Sequence, residues 1–194
     1  MEIGATKAVQ DRLKTTKIEE SKGASLVFCW DTHLTKIKGR NVLFIVNASN
    51  RYTIAMTDIE PRNWNYYTMY IRSVIHGVMQ EMGYSEDQIG QYFKMSGDTT
   101  VTKTHGRKSV GGINRMVMDA QYFGKKLEKE AKYQWELSEY LNRDICQPEG
   151  FDAYGYPSEL FKLDMEQLGI VAKRKPAKII DFTQYIDTNR STNH

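Results

Sequence analysis

The stretch that most constrains the fold is Leu26–Met56, where apolar β-forming segments alternate with tight-turn chemistry. Leu26–Trp30 is a continuous apolar run, as a buried strand requires. Leu34–Lys38 alternates in polarity, so one of its faces is wet. Gly39 and Arg40 supply a turn, and Asn41–Val46 is the clearest core strand in the chain. Val42, Phe44 and Val46 alternate with Leu43 and Ile45, so both faces are apolar and the strand belongs at the centre of a sheet. Asn47–Asn50 is turn chemistry again, and Arg51–Met56 resumes the alternation. Strands joined this closely form an antiparallel meander.

Helical periodicity governs the flanks. Glu2–Ala5 can be a short first strand, and Thr6 can cap a helix from Lys7 to Lys14. Thr15–Ser25 is polar and reads as a loop. From Pro61, residues Trp64, Tyr67, Ile71, Ile75, Val78 and Met82 recur at spacings of three and four, one apolar stripe on a helix. Ser85 and Gln88 form a capping box for a short helix that Gly97 ends. Thr99–Thr102 is a further strand. The spacing of Val110, Ile113, Val117, Ala120, Leu127 and Leu141 predicts one long helix over about 110–143, with Ser109 as its cap. Ser158–Leu168 predicts one more helix. Lys173–Lys178 is a short basic run, Ile179–Ile186 a docking strand or short helix, and Thr188–His194 a disordered tail.

The fold class is therefore α+β: an antiparallel sheet of about four or five strands, covered mainly on one face by helices. Residues 1–145 read as a single domain, and 146–194 as a C-terminal extension packing on it or on a partner. With 194 residues, the chain is long enough to form a core without a metal or disulfide staple. A net charge of +3 excludes a uniformly basic coat for nucleic acid but leaves room for a local basic patch. Cys29 and Cys146 lack CxxC spacing and read as reduced thiols of a cytoplasmic protein. No signal-peptide core and no apolar run of membrane-spanning length is present, so no membrane role is expected.

Three segments carry a family resemblance. Trp30-Asp31-Thr32-His33-Leu34 leads into Arg40–Asn47; Asn47-Ala48-Ser49-Asn50-Arg51-Tyr52 follows; Thr102–Asn114 is the third. In order and spacing they resemble an uncharacterised bacterial domain family, the DUF6933-type domain of unknown function, which stands alone or precedes a plasmid-ORF-3-like domain. The resemblance covers roughly residues 1 to 122 and leaves Phe123 onward outside it. It implies a unified fold and brings no activity or cofactor with it. The family pattern is often Trp-His-x-Asn-Leu where this chain has Asp31 and His33, so a role for a family histidine does not carry over to position 31.

The candidate chemistry lies in the basic stretch Lys103–Asn114. Lys103, His105, Arg107 and Lys108 precede the expected helix start at Ser109. Gly111 and Gly112 would let a ligand approach the backbone, and Asn114 closes the segment. Helix N-termini attract anions, so these residues, with Arg51 from the meander turn, form the expected anion-binding set. The order of a P-loop is absent. The leading function is a non-enzymatic module binding nucleic acid or another phosphate-bearing partner. The bland alternative is a solvated loop with Arg107 paired to an internal carboxylate or carbonyl. A hydrolase using Asp31, His33 and His105 is the second functional reading, and an assembly or homodimer role through the long helix or the extension is the third. Trp64 and Tyr67 read as core, whereas Tyr66 and Tyr70 fall on another face and suit a surface role. No metal ligands or cofactor site are assigned.

Overall fold

The computed structural model describes residues 1–15 and 18–173. Of the basic run at 173–178 only Lys173 is among them, and the expectations for 179–194 lie outside. Five strands form one mixed sheet: β1 (Glu2–Ala5), β2 (Cys29–Ile37), β3 (Arg40–Asn47), β4 (Thr53–Thr57) and β5 (Thr100–Thr102), in the order β4-β3-β2-β1-β5. The antiparallel meander is β2-β3-β4, with Phe44 of β3 opposite His33 on one side and Ala55 on the other. Leu26–Phe28 is a single 3-10 turn, and strand geometry begins at Cys29.

The sheet differs from a purely antiparallel one through β1, which pairs in parallel with both β2 and β5. Parallel neighbours need a crossover. The helix α1 (Lys7–Leu13) and the following loop supply it between β1 and β2. Thr6 stands at the N-cap of α1, but its hydroxyl donates to Thr32 O (3.0 Å) rather than capping the helix.

Helices cover both faces, not mainly one. Against Ile3, Trp30, Leu43, Ile45 and Ile54 pack α3 (Tyr67–Glu81), α4 (Glu86–Ser96) and α7 (Pro157–Gln167), which contribute Ile71, Ile75, Ile89, Tyr92, Phe161 and Met165. The short α2 (Pro61–Asn65) precedes α3, with the break at Tyr66, so the stripe beginning at Trp64 spans two helices. The expected capping box opens α4. Trp30 Nε1 donates to the Tyr92 hydroxyl (2.9 Å), which donates to Val27 O (2.7 Å), so α4 is pinned to the sheet by polar contacts inside an apolar layer. On the opposite face Val42, Phe44, Val46 and Ala55 meet α5 (Gly106–Gln121) and α6 (Trp135–Asn142) through Ile113, Met116, Leu137 and Leu141. Period two on β3 thus feeds two separate cores.

The single long helix over 110–143 is not formed; it is two helices. A continuous helix of that length would run about 50 Å, well past the sheet it covers. Instead the chain leaves helical geometry after Gln121, and Phe123 and Leu127 turn into the core. The segment then follows the β4 edge: Thr57 N donates to Lys132 O (2.7 Å), and Gln134 N donates to Ala55 O (2.9 Å). Once α6 begins, its polar side chains complete the edge. Ser138 Oγ accepts from Ala55 N (3.0 Å), and Asn142 accepts from Thr53 N and donates to Thr53 O (2.8 Å each). An open edge strand is a template for unwanted pairing, and here side chains and a loop occupy it.

The described residues beyond 145 join the same body. Phe161 packs on Trp30 and Tyr52, with ring centroids 6.1 and 5.3 Å apart. Among the described residues, no helix is long and apolar enough to cross a membrane. Cys29 and Cys146 are both buried, free thiols.

Candidate functional site

Register places the polar centre. Glu2 pairs with Cys29 and Gly4 with Asp31, so all four point to the face that α5 covers. Next to them, just beyond β5, stands His105. Its Nδ1 lies 2.7 Å from Asp31 Oδ1, and its Nε2 lies 3.1 Å from Glu2 Oε2. Its backbone N–H donates to both oxygens of Asp31 (3.2 and 3.3 Å), and the Ser109 hydroxyl donates to Asp31 Oδ2. Glu2 in turn accepts from Ser21 Oγ (2.6 Å) and Lys22 N (2.8 Å). The His105 side chain is 2% exposed, and those of Asp31 and Glu2 are 0% and 6%.

Burial alone would lower the His105 pKa, but its bonds to Asp31 and Cys29 and their charge outweigh burial and raise it to about 10. The imidazole is accordingly a cation at neutral pH. Burial would raise the Glu2 carboxyl, yet the bonds from Ser21, Lys22 and His105 hold it below its usual range. The cluster is a buried imidazolium between two carboxylates.

This geometry corrects the expected helix start. The N-cap of α5 is His105, not Ser109. Asp31 brings a carboxylate from β2 to the first turn of α5, which is where a helix favours negative charge. Ser109 is spent on that same carboxylate, inside the first turn. The helix end expected to take an outside anion therefore already holds an internal one.

The other members of the expected anion set fall elsewhere. Lys103 pairs with Glu20. Arg107, Lys108, Gly111 and Asn114 are exposed. Neither Arg107 nor Lys108 has an ion-pair partner among the described residues. The internal pairing of the bland reading falls to His105 and Ser109 rather than Arg107. Arg51, at φ 63°, turns back toward α5. With Lys108, Ser109, Gly112, Gln147 and Glu149 it lines a small cleft of about 50 Å³. Its guanidinium lies 3.5 Å from Asp144.

Of the residues in the hydrolase reading, Asp31 and His105 converge, but His33 does not join them. Its Nδ1 contacts Thr6 Oγ1 at 3.2 Å, and burial lowers its pKa. The asparagines of the turn serve the backbone. Asn47 Oδ1 accepts from Ser49 N and Asn50 N, while Asn50 Nδ2 donates to Asp164 (2.7 Å). Trp64 and Tyr67 stack in the core at 5.7 Å, and Tyr66 is exposed as expected. Tyr70 is only partly exposed, packed against that core. Sequence reasoning missed Glu2 and Cys29. The available signal was a carboxylate at the head of an otherwise apolar strand.

Fold and site together define an α+β domain with an internal charged centre and a cationic surface at one helix start. The chain belongs to the family described as a domain of unknown function, DUF6933, which matches residues 2–160. The match runs past residue 122, where the sequence resemblance ended, and takes in α6 and the first turn of α7. That extension agrees with the packing, since α6 completes the β4 edge. No curated protein and no solved structure matches the chain.

Proposed function

We propose that the chain is a binding module for a phosphate-bearing partner, nucleic acid first among them, engaged at the first turns of α5. The observation that carries the reading is the pair Arg107 and Lys108. Both are exposed, adjacent, and without an ion-pair partner among the described residues. Lys108 borders the cleft that also holds Arg51 and Gly112, so a phosphate at its mouth would meet cations from two segments. Arg51 supports bidentate contact, because its planar fork suits a phosphate. The expected contact set narrows to Arg51, Arg107, Lys108 and Gly112. His105 and Ser109 are engaged inside the protein, and Lys103 pairs with Glu20 at the surface. The hydrolase reading has less support, since the converged pair Asp31 and His105 is buried, where a substrate has no access to it.

The test is a titration of wild type, Arg107→Ala and Lys108→Ala against short single- and double-stranded oligonucleotides at two salt concentrations. Wild-type affinity should fall steeply with salt as counterions are released. Each variant should bind more weakly and lose about one unit of salt slope, with its thermal midpoint nearly unchanged. Equal binding by all three proteins, or no binding at low salt, removes nucleic acid as the partner.

A further inference from the structure

Glu2, Cys29 and His105 are all buried, and each presents one ligand atom; the three atoms lie within 4.8 Å of one another. We propose that they bind one divalent transition-metal ion of the zinc class, through a Glu2 carboxylate oxygen, the Cys29 thiolate and His105 Nε2. These are three of the donor types zinc takes, with bonds of about 2.0–2.3 Å. Tetrahedral ligands at those bond lengths stand roughly 3.3–3.8 Å apart. The present separations therefore close with small side-chain movements. The fourth position falls to a water or to the second oxygen of Glu2.

Three further observations support the assignment. Asp31 Oδ1 sits 2.7 Å from His105 Nδ1. A carboxylate in that position is the usual partner behind a metal-bound histidine, fixing the tautomer that leaves Nε2 free for the ion. The ligands are also held from outside, because Ser21 and Lys22 orient Glu2. Charge favours the ion as well. Two acidic side chains, Glu2 and Asp31, stand within 3.1 Å of the one imidazole ring, so the centre is rich in acidic donors. A dication with one thiolate and one carboxylate is neutral, and Asp31 keeps the positive end of α5 as its own counter-charge.

The exchange balances in protons. The ion takes Cys29 as thiolate and His105 as neutral imidazole, so any proton on Cys29 Sγ or His105 Nε2 leaves to solvent as it binds. The ion would join the ends of β1 and β2 to the turn before α5. That is a structural role, separate from the cationic surface at Arg107 and Lys108.

The experiment is a cobalt(II) titration of the metal-free, reduced full-length chain, followed by displacement with zinc. One equivalent should bind and produce a thiolate-to-cobalt charge-transfer band, which zinc then removes. The band should persist in Cys146→Ser and vanish in Cys29→Ser. Asp31→Asn should keep the band with affinity weakened about 10- to 100-fold. Should Cys29→Ser fail to fold, a band retained in Cys146→Ser still assigns the sulfur, because the chain has only two cysteines. No band in wild type, a band surviving in Cys29→Ser, or a band lost in Cys146→Ser overturns the site.

Discussion

Gly4 of β1 and Asp31 of β2 are register partners, and the Asp31 carboxylate occupies the space that a Cβ on Gly4 would need. That vacancy lets Asp31 cross β1 to reach His105. A methyl group there would collide with Oδ1 of Asp31 and stand 3.0 Å from the Thr104 Cα. Backbone and a bonded carboxylate cannot both give way cheaply. Gly4→Ala should lose on the order of 1–3 kcal/mol, the usual range for overpacking. Urea unfolding of the two proteins checks it, and an unchanged midpoint would contradict the crossing.

Removing the carboxylate should cost more than crowding it. Asp31→Ala leaves a buried imidazolium with one carboxylate partner, and strips Ser109 and the His105 N–H of their acceptor. Breaking a buried ion pair from one side costs about 3–5 kcal/mol. Asp31→Asn retains one acceptor oxygen and should cost less. Chemical denaturation in the presence of a chelator ranks the three proteins; a smaller loss for alanine than for asparagine would count against the network.

The two faces of β3 predict a second pair of effects. Phe44 is fully buried against α5, and Ile45 is fully buried on the other side. Phe44→Ala should cost about 3–5 kcal/mol and Ile45→Ala about 2–5 kcal/mol. A thermal midpoint indifferent to either change would mean that the corresponding layer is not packed.

Asp164 gives a pH signature. Burial pushes its carboxyl above the ordinary 3.8, against the opposing bonds from Asn50 and Ser49. A native pKa above the unfolded one means that the native state holds the proton longer. Its contribution to stability is therefore full below 3.8 and is lost as pH rises through the native pKa. Asp164→Asn keeps an acceptor for Asn50 and never ionises. Its midpoint relative to wild type should improve across the window that opens at pH 3.8 and closes above the raised native pKa. A difference constant across that window would exclude a raised carboxyl.

Much of this was legible in the residues themselves. The alternation on Asn41–Val46 gave a central strand buried on both faces, because side-chain direction in a strand is fixed locally by the pleat. Ser85 and Gln88 gave a capping box because its partners are three residues apart. The same local logic failed between Val110 and Leu141. The helical spacing there is real on both sides of a break, but the break depends on β4 needing partners at Ala55 and Thr57.

The internal charged centre was the least legible part. His105 is 74 residues from Asp31 and 103 from Glu2. No spacing rule joins them. They meet because β1 inserts in parallel between β2 and β5, a pairing unmarked by any hairpin turn. By itself the sequence determined the strands of the meander, most of the helical segments and which of their faces would be apolar, since backbone sterics and water act on each segment locally. Only the tertiary structure decided that the helix start expected to face an outside anion would face Asp31. Sheet order is set by the joint burial of distant strands, and it brought that carboxylate there.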